Sequence, residues 1–473
     1  MTEHNDASAR SRDGDGSQVF WWSSAVALLF LLGVLFLPWD APMPKAPDLK
    51  FTPAALSAPD NAFTYFEEAA RLKAAAPKFK MANGNPWNYE ISGKIGSPQE
   101  AWDPKLAQEI LEAHAAVFAE LEKGLDCPGY ASPQVTDVTM RFPWLQDDKA
   151  FAQLMGLQIK TLHLSGDYPG AARVALKDLR LGEFLCNRND SMIEWLVGMA
   201  CYCIVGQHVE DLVDDVKTPE PVLRELLKGL NTWNPQAFTE GYRRSVKNEY
   251  GTACRSVDID IKKMWGGIYS PGYYPKVEAK LIHVPYAWKP KASLQRLVLF
   301  YRRLIAEADK PLAKIDLSYP GQLQAPATEA GKILFYFRPN SLGLLSIIAM
   351  QESQPKCLQK KCQMQAYVDA LRLRIALRLY EIKHGELPDS LQALLPEYLP
   401  AIPIDPYDGQ PFRYSKTDKK VWAIGSDLTD QGGLTGPGNF TMIDRPGFDL
   451  VMPLGTRETF LERAGVEDNG KDR

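Results

Sequence analysis

The chain has 473 residues, a formal net charge of −4 and 45% hydrophobic residues. This length allows two or three folded domains. The slightly acidic balance provides no overall field that would attract a polyanion, so we expect no nucleic-acid partner.

A long apolar stretch near the N-terminus carries no charge from Val19 to Leu37 and reads VFWWSSAVALLFLLGVLFL. As a helix its 19 residues extend about 28 Å, which is enough to cross the hydrocarbon core of a bilayer. Tryptophans near both ends suit the headgroup regions. We therefore predict a leader over residues 1–18 and a transmembrane helix over residues 19–38 that contacts the lipid bilayer.

Two other interpretations of this stretch stay open, namely a cleaved signal peptide and a buried core helix. A signal peptide has a shorter apolar stretch, followed by a small-x-small cleavage site. The sequence that follows here, Pro38-Trp39-Asp40-Ala41-Pro42, is a poor cleavage site because of its prolines and its indole. A membrane anchor is the favoured interpretation.

The orientation of the anchor is predicted from the charges on either side of it. Arg10 and Arg12 favour a cytoplasmic leader by the positive-inside rule, whereas Lys45 and Lys50 weaken that bias. The favoured topology exports the remainder of the chain. We therefore predict a single-pass protein of the cell inner membrane, with most of its residues on the periplasmic side.

The part of the chain after the anchor is predicted to be mainly helical. A proline-rich stalk over residues 39–59 leads into an α-helical domain over residues 60–350, with Asp60 or Asn61 capping its first helix. The helices predicted from apolar spacing cover 61–76, 97–123, 151–165, 170–186, 192–213, 219–230 and 293–309. The turn Gly166-Asp167-Tyr168 resembles the turn of a tetratricopeptide repeat, and an ordinary pair of antiparallel helices explains it equally well.

Two segments and the cysteines give no clear functional signal. Residues 255–290 are rich in aromatic residues, glycine and proline, and we expect these rings to pack on the helical domain rather than to stack on bases. The apolar segment Ser341–Met350 is too short to span a bilayer. The seven cysteines form no zinc-ligand pattern and are predicted to be buried thiols, with Cys357 and Cys362 the nearest candidate pair for a disulfide.

The clearest amphipathic helix after the anchor covers Cys362–Lys383. Apolar residues recur along one face, and Arg374 and Arg378 are predicted to stay in water. Gly385 and Pro388 end the helix. Three short strands follow, predicted at 411–415, 421–424 and 448–452.

This part of the sequence resembles the C-terminal domain of the major pseudopilin of type II secretion. The segments that carry the resemblance are ALRLYEIKHGELP, YLPAIPIDPYDGQPFRY and VWAIGSDLTDQGG, which begin at residues 376, 398 and 421. The resemblance implies a small α+β domain with a short antiparallel sheet over residues 360–455, followed by a polar tail over residues 456–473. The whole layout also resembles a large group of bacterial single-pass membrane proteins.

In the pseudopilin family the glycine-rich loop before the last strand binds calcium. The resemblance therefore implies a calcium site at Asp427, Asp430 and Asp449, with further oxygens from the backbone of Ile424 or Gly425. The alternative is a solvated loop in which the aspartates form Asx-turns. The processing site of a pilin has no counterpart in this sequence, so a filament subunit is not expected.

No recognised catalytic motif is present in the sequence. Tyr242, Arg243, Arg244 and Glu249 form a polar cluster that is a candidate for the lining of a cleft. The favoured function is a membrane-anchored extracytoplasmic scaffold that binds another envelope protein. The alternatives are an accessory component of a type II secretion or pilus-like system, and an enzyme whose active site surrounds the segment 255–290.

Overall fold

The fold is taken from a computed structural model. It describes residues 40–53, 55–80, 103–137, 139–187, 191–257, 286–319, 322–324, 327–436 and 444–455, together with Val26. The predicted leader, the transmembrane helix apart from Val26, most of the aromatic segment and the polar tail lie outside the described residues. The same holds for residues 437–443 of the glycine-rich loop.

The described residues form eleven α-helices, which we number in chain order. They are α1 (Ala62–Ala75), α2 (Pro104–Ala113), α3 (Ala115–Asp126), α4 (Trp144–Leu164), α5 (Tyr168–Asn187), α6 (Met192–Asp214), α7 (Glu220–Leu230), α8 (Pro235–Arg255), α9 (Pro290–Glu307), α10 (Glu329–Tyr336) and α11 (Ser341–His384). The predicted mainly helical fold is confirmed. The turn between α4 and α5 is confirmed as part of a helical hairpin, and the tetratricopeptide interpretation stays a prediction.

Side-chain caps fix the starts of several helices. The side chain of Asn61 accepts a hydrogen bond from the backbone N–H of Phe63, as predicted for the cap of α1. Asp103 caps α2 by accepting from two backbone N–H groups, and Asn234 caps α8 in the same way. Each such bond satisfies a donor that the helix itself leaves unpaired.

Two hydrophobic cores hold the helices together. The first joins α1–α4 with one side of α5, and the second joins α5–α9 with α11 and the sheet. Phe184 lies in the first core and the nearby Cys186 in the second, so α5 belongs to both. Burying a side chain the size of Leu or Phe contributes about 1.5–3 kcal/mol, and this shared helix couples the two cores.

Helix α6 is apolar along most of its length. Within the described part of the chain, it is the one helix long and apolar enough to cross a membrane by length and composition alone. More than half of its apolar stretch is buried inside the fold, with Trp195 and Val205 fully enclosed. It packs inside the helical body, and the helix predicted over residues 192–213 is confirmed.

Helix α11 is one continuous helix, where the sequence predicts two separate segments. It contains Pro355 and ends at Gly385, whose φ of 82° lies in the left-handed region. The predicted end at this glycine is confirmed, because a residue without a Cβ adopts this conformation without strain. The helix runs through the residues between the two predicted domains, whose boundaries stay a prediction.

A three-stranded antiparallel sheet follows α11 in the chain. Its strands β1 (Arg413–Ser415), β2 (Lys420–Ala423) and β3 (Leu450–Pro453) lie in sequence order. In the register, Val421 is opposite Tyr414 on one side and opposite Met452 on the other. The sheet packs its buried face on α11, and the predicted short antiparallel sheet is confirmed.

Candidate functional site

An open groove of about 600 Å³ lies between α1 and α4. Its lining combines aromatic rings with carboxylates, and the aromatic members are Phe63, Phe66, Trp144 and Phe151. Phe63 and Phe66 lie one helical turn apart, so both face α4. The rings of Phe63 and Trp144 meet edge to face at a centroid distance of 5.7 Å, which fixes the width of the groove at that point.

The carboxylates of the groove differ in their surroundings. Glu67 is exposed on α1, whereas Asp148 of α4 is buried. Among the described residues, Oδ2 of Asp148 has no hydrogen-bond partner, and burial raises the pKa of this carboxyl well above its usual range. Glu194 and Asp147 raise that pKa further by charge repulsion. The buried surroundings of Asp148 therefore disfavour its charged form.

Hydrogen bonds to α6 and within α1–α4 hold the groove in shape. The indole nitrogen of Trp144 donates to Glu194 of α6 over 2.9 Å, and Ser191 donates to the other oxygen of Glu194 over 3.0 Å. Lys73 at the end of α1 forms a 2.6 Å ion pair with Asp147. The ring of Trp144 is thereby held half-buried, with an accessible face toward the groove.

The three predicted calcium ligands lie in the loops between β2 and β3. Asp427 accepts hydrogen bonds from the backbone N–H of Thr429 and of Gly447 and from the side chain of Gln431. These bonds lower the pKa of the Asp427 carboxyl against the opposing effect of burial. Asp427 is therefore an ionised turn aspartate that closes the loop.

Asp430 is bound to the sheet by side chains of β1 and β2. It accepts from the indole nitrogen of Trp422 over 3.0 Å and from Nε of Arg413 over 3.1 Å. The guanidinium of Arg413 also pairs with Asp405 and Asp408. One arginine thus supplies positive charge to three carboxylates, an arrangement that the sequence did not indicate.

Asp449 is the most enclosed of the three predicted ligands. One carboxylate oxygen accepts from the backbone N–H of Gly433 over 2.7 Å, while Oδ1 is buried and has no partner among the described residues. The amide oxygen of Gln431 in the same loop is likewise buried without a partner in that part of the chain. Burial raises the pKa of the Asp449 carboxyl. Oxygen atoms without a hydrogen-bond partner are the kind of ligand that calcium prefers.

The described residues supply two such oxygens but no complete set of ligands. Within them, no group of three or more histidine, cysteine, aspartate or glutamate side chains is close enough to hold a metal ion. Residues 437–443 belong to the same loop and lie outside the described part. The calcium site at Asp427, Asp430 and Asp449 stays a prediction.

A buried charged network joins α6, α11 and the sheet. Arg374 is only 2% exposed, and it pairs with Glu210 and Asp214 and donates to the carbonyl of Gly455. The prediction that Arg374 stays in water is therefore wrong, because α6 covers this face of α11. Tyr367 donates to Glu210 over 2.7 Å. The sequence signal for this network was the i, i+4 spacing of the two acids on α6.

The predicted polar cluster at 242–249 does not line a common cleft. Tyr242 is buried in the second core, 5.4 Å from the ring of Trp195, whereas Arg243 pairs with Glu240 and Asp309 near the surface. Tyr242 and Arg243 diverge because neighbouring residues of a helix point in different directions. Glu249 follows Tyr242 by about two turns on the same face, and burial raises the pKa of its carboxyl. The seven cysteines are all free, so Cys357 and Cys362 are not joined.

Comparisons with known proteins identify no relative of this chain. No protein-family model matches it, and neither a curated protein nor a solved structure does.

Proposed function

We propose that this protein is a single-pass, membrane-anchored scaffold of the bacterial inner membrane. Its helical body would lie on the periplasmic side and bind another envelope protein in the groove between α1 and α4. The observation that carries the proposal is an open groove of about 600 Å³ lined by the half-buried ring of Trp144 and by Asp148, whose buried Oδ2 has no partner among the described residues.

The chemistry of the groove favours a protein segment with apolar and basic side chains. Tryptophan is enriched where binding energy is concentrated in protein interfaces, because its ring buries a large area with little loss of entropy. Glu67 adds negative charge at the edge of the groove, whereas Glu68 is paired with Arg71, which also lines it. A lysine or arginine next to an apolar side chain therefore matches Glu67 and the aromatic walls.

The anchor is supported by the way the chain enters the folded body. Asp40 follows the predicted transmembrane helix by two residues, and its carboxylate accepts from the backbone N–H of Lys291 and of Ala292. A carboxylate at the first N–H groups of α9 is stabilised by the helix dipole. The stalk is thus attached to the body at Asp40, directly after the point where the chain would leave the bilayer.

Photocrosslinking in the native host tests the binding function. Benzoylphenylalanine replaces Thr64, which is exposed and lines the groove. We expect one discrete adduct with an envelope protein, and we expect Glu67→Arg to abolish it by reversing the charge of the groove. The matched control Glu225→Arg, an exposed glutamate on α7, should leave the adduct intact. An adduct that survives both charge reversals, or no adduct at all, would contradict a binding role for the groove.

A second candidate function is an accessory role in a type II secretion or pilus-like system. It is favoured by the order of elements after residue 341, in which a long helix ending at a glycine precedes a small antiparallel sheet. This order is the one that the resemblance to the major pseudopilin implies. Co-purification of the full chain with filament components from detergent-solubilised membranes tests this role, and their absence from the purified complex would count against it.

We also propose that calcium binds the loop between β2 and β3. Asp449 and Gln431 would bind the ion through the oxygens that lack partners among the described residues. Asp427 or Asp430 would supply a second negative charge. Bound calcium would supply positive charge and hold the loop against the sheet, with no part in a reaction.

A further inference from the structure

Helix α10 and the residue after it expose an apolar patch. The exposed fractions of Ile333, Leu334 and Phe337 are 60%, 68% and 74%. Phe335 points the other way and is buried in the second core. The helix therefore has one face against the body and one apolar face directed away from it, which is the pattern of a helix that lies on a second surface.

Backbone hydrogen bonds attach the residues just after the patch to the residues just before α9. The N–H of Asn340 donates to the carbonyl of Tyr286 over 2.8 Å, and the N–H of Leu342 donates to the carbonyl of Ala287 over 2.9 Å. The side chain of Asn340 accepts from the N–H of Lys289 over 2.8 Å. These bonds fix the end of α10 and the start of α11 beside the first residues of α9.

Apart from Val26, the described chain begins at the same place, directly after the predicted membrane anchor. Asp40 is bonded to the N–H groups of Lys291 and Ala292 over 2.8 and 3.0 Å, and Gln295 donates to the carbonyl of Pro42. Two residues span at most about 7 Å, so the predicted transmembrane helix ends close to Asp40. Asp40 is bonded to Lys291 and Asn340 is bonded to Lys289, and these two lysines are two residues apart in the chain. Asp40 therefore lies within about 15 Å of Asn340.

Basic residues lie in the segments next to the patch. Arg338 is exposed, with its guanidinium 5.7 Å from the centre of the Phe335 ring, and Lys289 and Lys291 lie at the start of α9. Bacterial membranes contain anionic lipids, and lysine or arginine at a membrane surface is attracted to their headgroups. Apolar side chains flanked by basic ones are typical of helices that lie in the interfacial region of a bilayer.

We propose that the apolar face formed by Ile333, Leu334 and Phe337 inserts into the headgroup region of the bilayer that holds the anchor. This inference rests on the proposed membrane anchoring. The anchor holds the patch near the lipid surface, so insertion is an intramolecular step that a few apolar side chains are sufficient to drive. The body would then contact the membrane at two points and keep a fixed orientation to it.

Helix α11 provides a matched control at its opposite end. Arg378 lies 37 residues after Ser341, which is a distance of about 55 Å along the helix. Val216 lines a small cavity together with Arg378, and its side chain is 75% exposed. An exposed apolar residue at this end should stay in water when α10 contacts the bilayer.

Fluorescence on the full chain in lipid vesicles tests the proposal. Dansylalanine replaces Leu334, Phe337 or Val216, one at a time, and each variant is reconstituted into vesicles of phosphatidylethanolamine and phosphatidylglycerol. A fraction of these lipids carries a quencher on the acyl chain near the headgroup. We expect blue-shifted emission that the quencher reduces for Leu334→dansylalanine and Phe337→dansylalanine. For Val216→dansylalanine we expect emission as in water and no quenching.

Carbonate extraction of the same vesicles separates the failure of this inference from the failure of the anchor. Water-like emission at 334 and 337 in a chain that resists extraction would overturn the inference and leave the anchor intact. Blue-shifted emission without quenching would mean that protein rather than lipid covers the patch, and it would also overturn the inference. A chain released by carbonate would overturn the proposed anchoring itself.

Discussion

Arg374 is a buried arginine on α11 whose two acidic partners come from a distant part of the chain. Its position on the helical wheel is adjacent to the apolar face of α11, and nothing in its own segment indicates a partner. The carboxylates of Glu210 and Asp214 come from α6, more than 150 residues earlier in the chain. Burial raises the pKa of Asp214 to about 6 despite the opposing effect of Arg374. The guanidinium therefore offsets part of the effect of burial on Asp214.

Replacing Arg374 should destabilise the fold strongly. Arg374→Met leaves Glu210 and Asp214 without their cation in a poorly solvated position, and we expect a loss of about 3 kcal/mol in the free energy of unfolding. The control Arg378→Met removes a more exposed pair with Glu381 and should cost under about 1 kcal/mol. Chemical denaturation of both variants measures the difference. Equal losses for the two would contradict the assigned role of Arg374.

Asp449 is the residue on which the calcium proposal depends most. A ligand that binds only the folded state stabilises it by about 2.7 kcal/mol at a hundred times its dissociation constant. We therefore expect millimolar calcium to raise the melting temperature of the full chain relative to a chelator, and Asp449→Asn to reduce that shift. Asp418→Asn, at an exposed aspartate of the turn between β1 and β2, should leave the shift unchanged. No shift in the unaltered chain would remove the calcium site.

At the scale of secondary-structure elements, two glycines have opposite roles. Gly385 ends α11 at a φ of 82°, whereas Gly251 lies inside α8 with ordinary helical geometry. A Cβ on Gly251 would meet only the guanidinium end of the Arg255 side chain, at 3.1 Å. We expect Gly385→Ala to destabilise the protein by about 1 kcal/mol and Gly251→Ala to stabilise it by about 0.5 kcal/mol. Urea unfolding measures both, and a change of the same sign at the two positions would contradict this assignment.

The sequence predicted those helices and strands whose position depends on the pattern of nearby residues. The helices of the hairpin α4–α5, the end of α11 and the three strands follow from apolar spacing and from glycine and proline positions. The break at His114 between α2 and α3 was missed, and the single predicted helix over 97–123 is wrong there. His114 is fully buried and its ring nitrogen bonds to the carbonyl of Ile110, a local detail that apolar spacing does not contain.

The continuity of α11 and the groove were also missed. Pro355 favours a break, but the residues on either side are packed into the body, and this packing outweighs one lost backbone hydrogen bond. The groove depends on the approach of α1 to α4, whose residues are about 80 positions apart in the chain. Such an approach is decided by tertiary packing, so no short sequence pattern predicts it.

At the scale of the whole molecule, α11 connects the proposed membrane contact with the sheet. Its 44 residues extend about 65 Å. Its first residues lie beside the start of α9, where Asp40 attaches the stalk, and Arg374 in its second half contacts the last strand. The predicted calcium loop lies beside the middle of α11, where Gln359 donates to Asp444 over 2.9 Å.

The central claim is that one N-terminal helix anchors a body that lies outside the cytoplasm. Protease treatment of spheroplasts tests it directly, with one epitope before residue 1 and another after residue 473 of the full chain. We predict that external protease removes the C-terminal epitope and leaves the N-terminal epitope protected in the membrane fraction. A C-terminal epitope that stays protected in intact spheroplasts and is digested only after lysis would contradict the account.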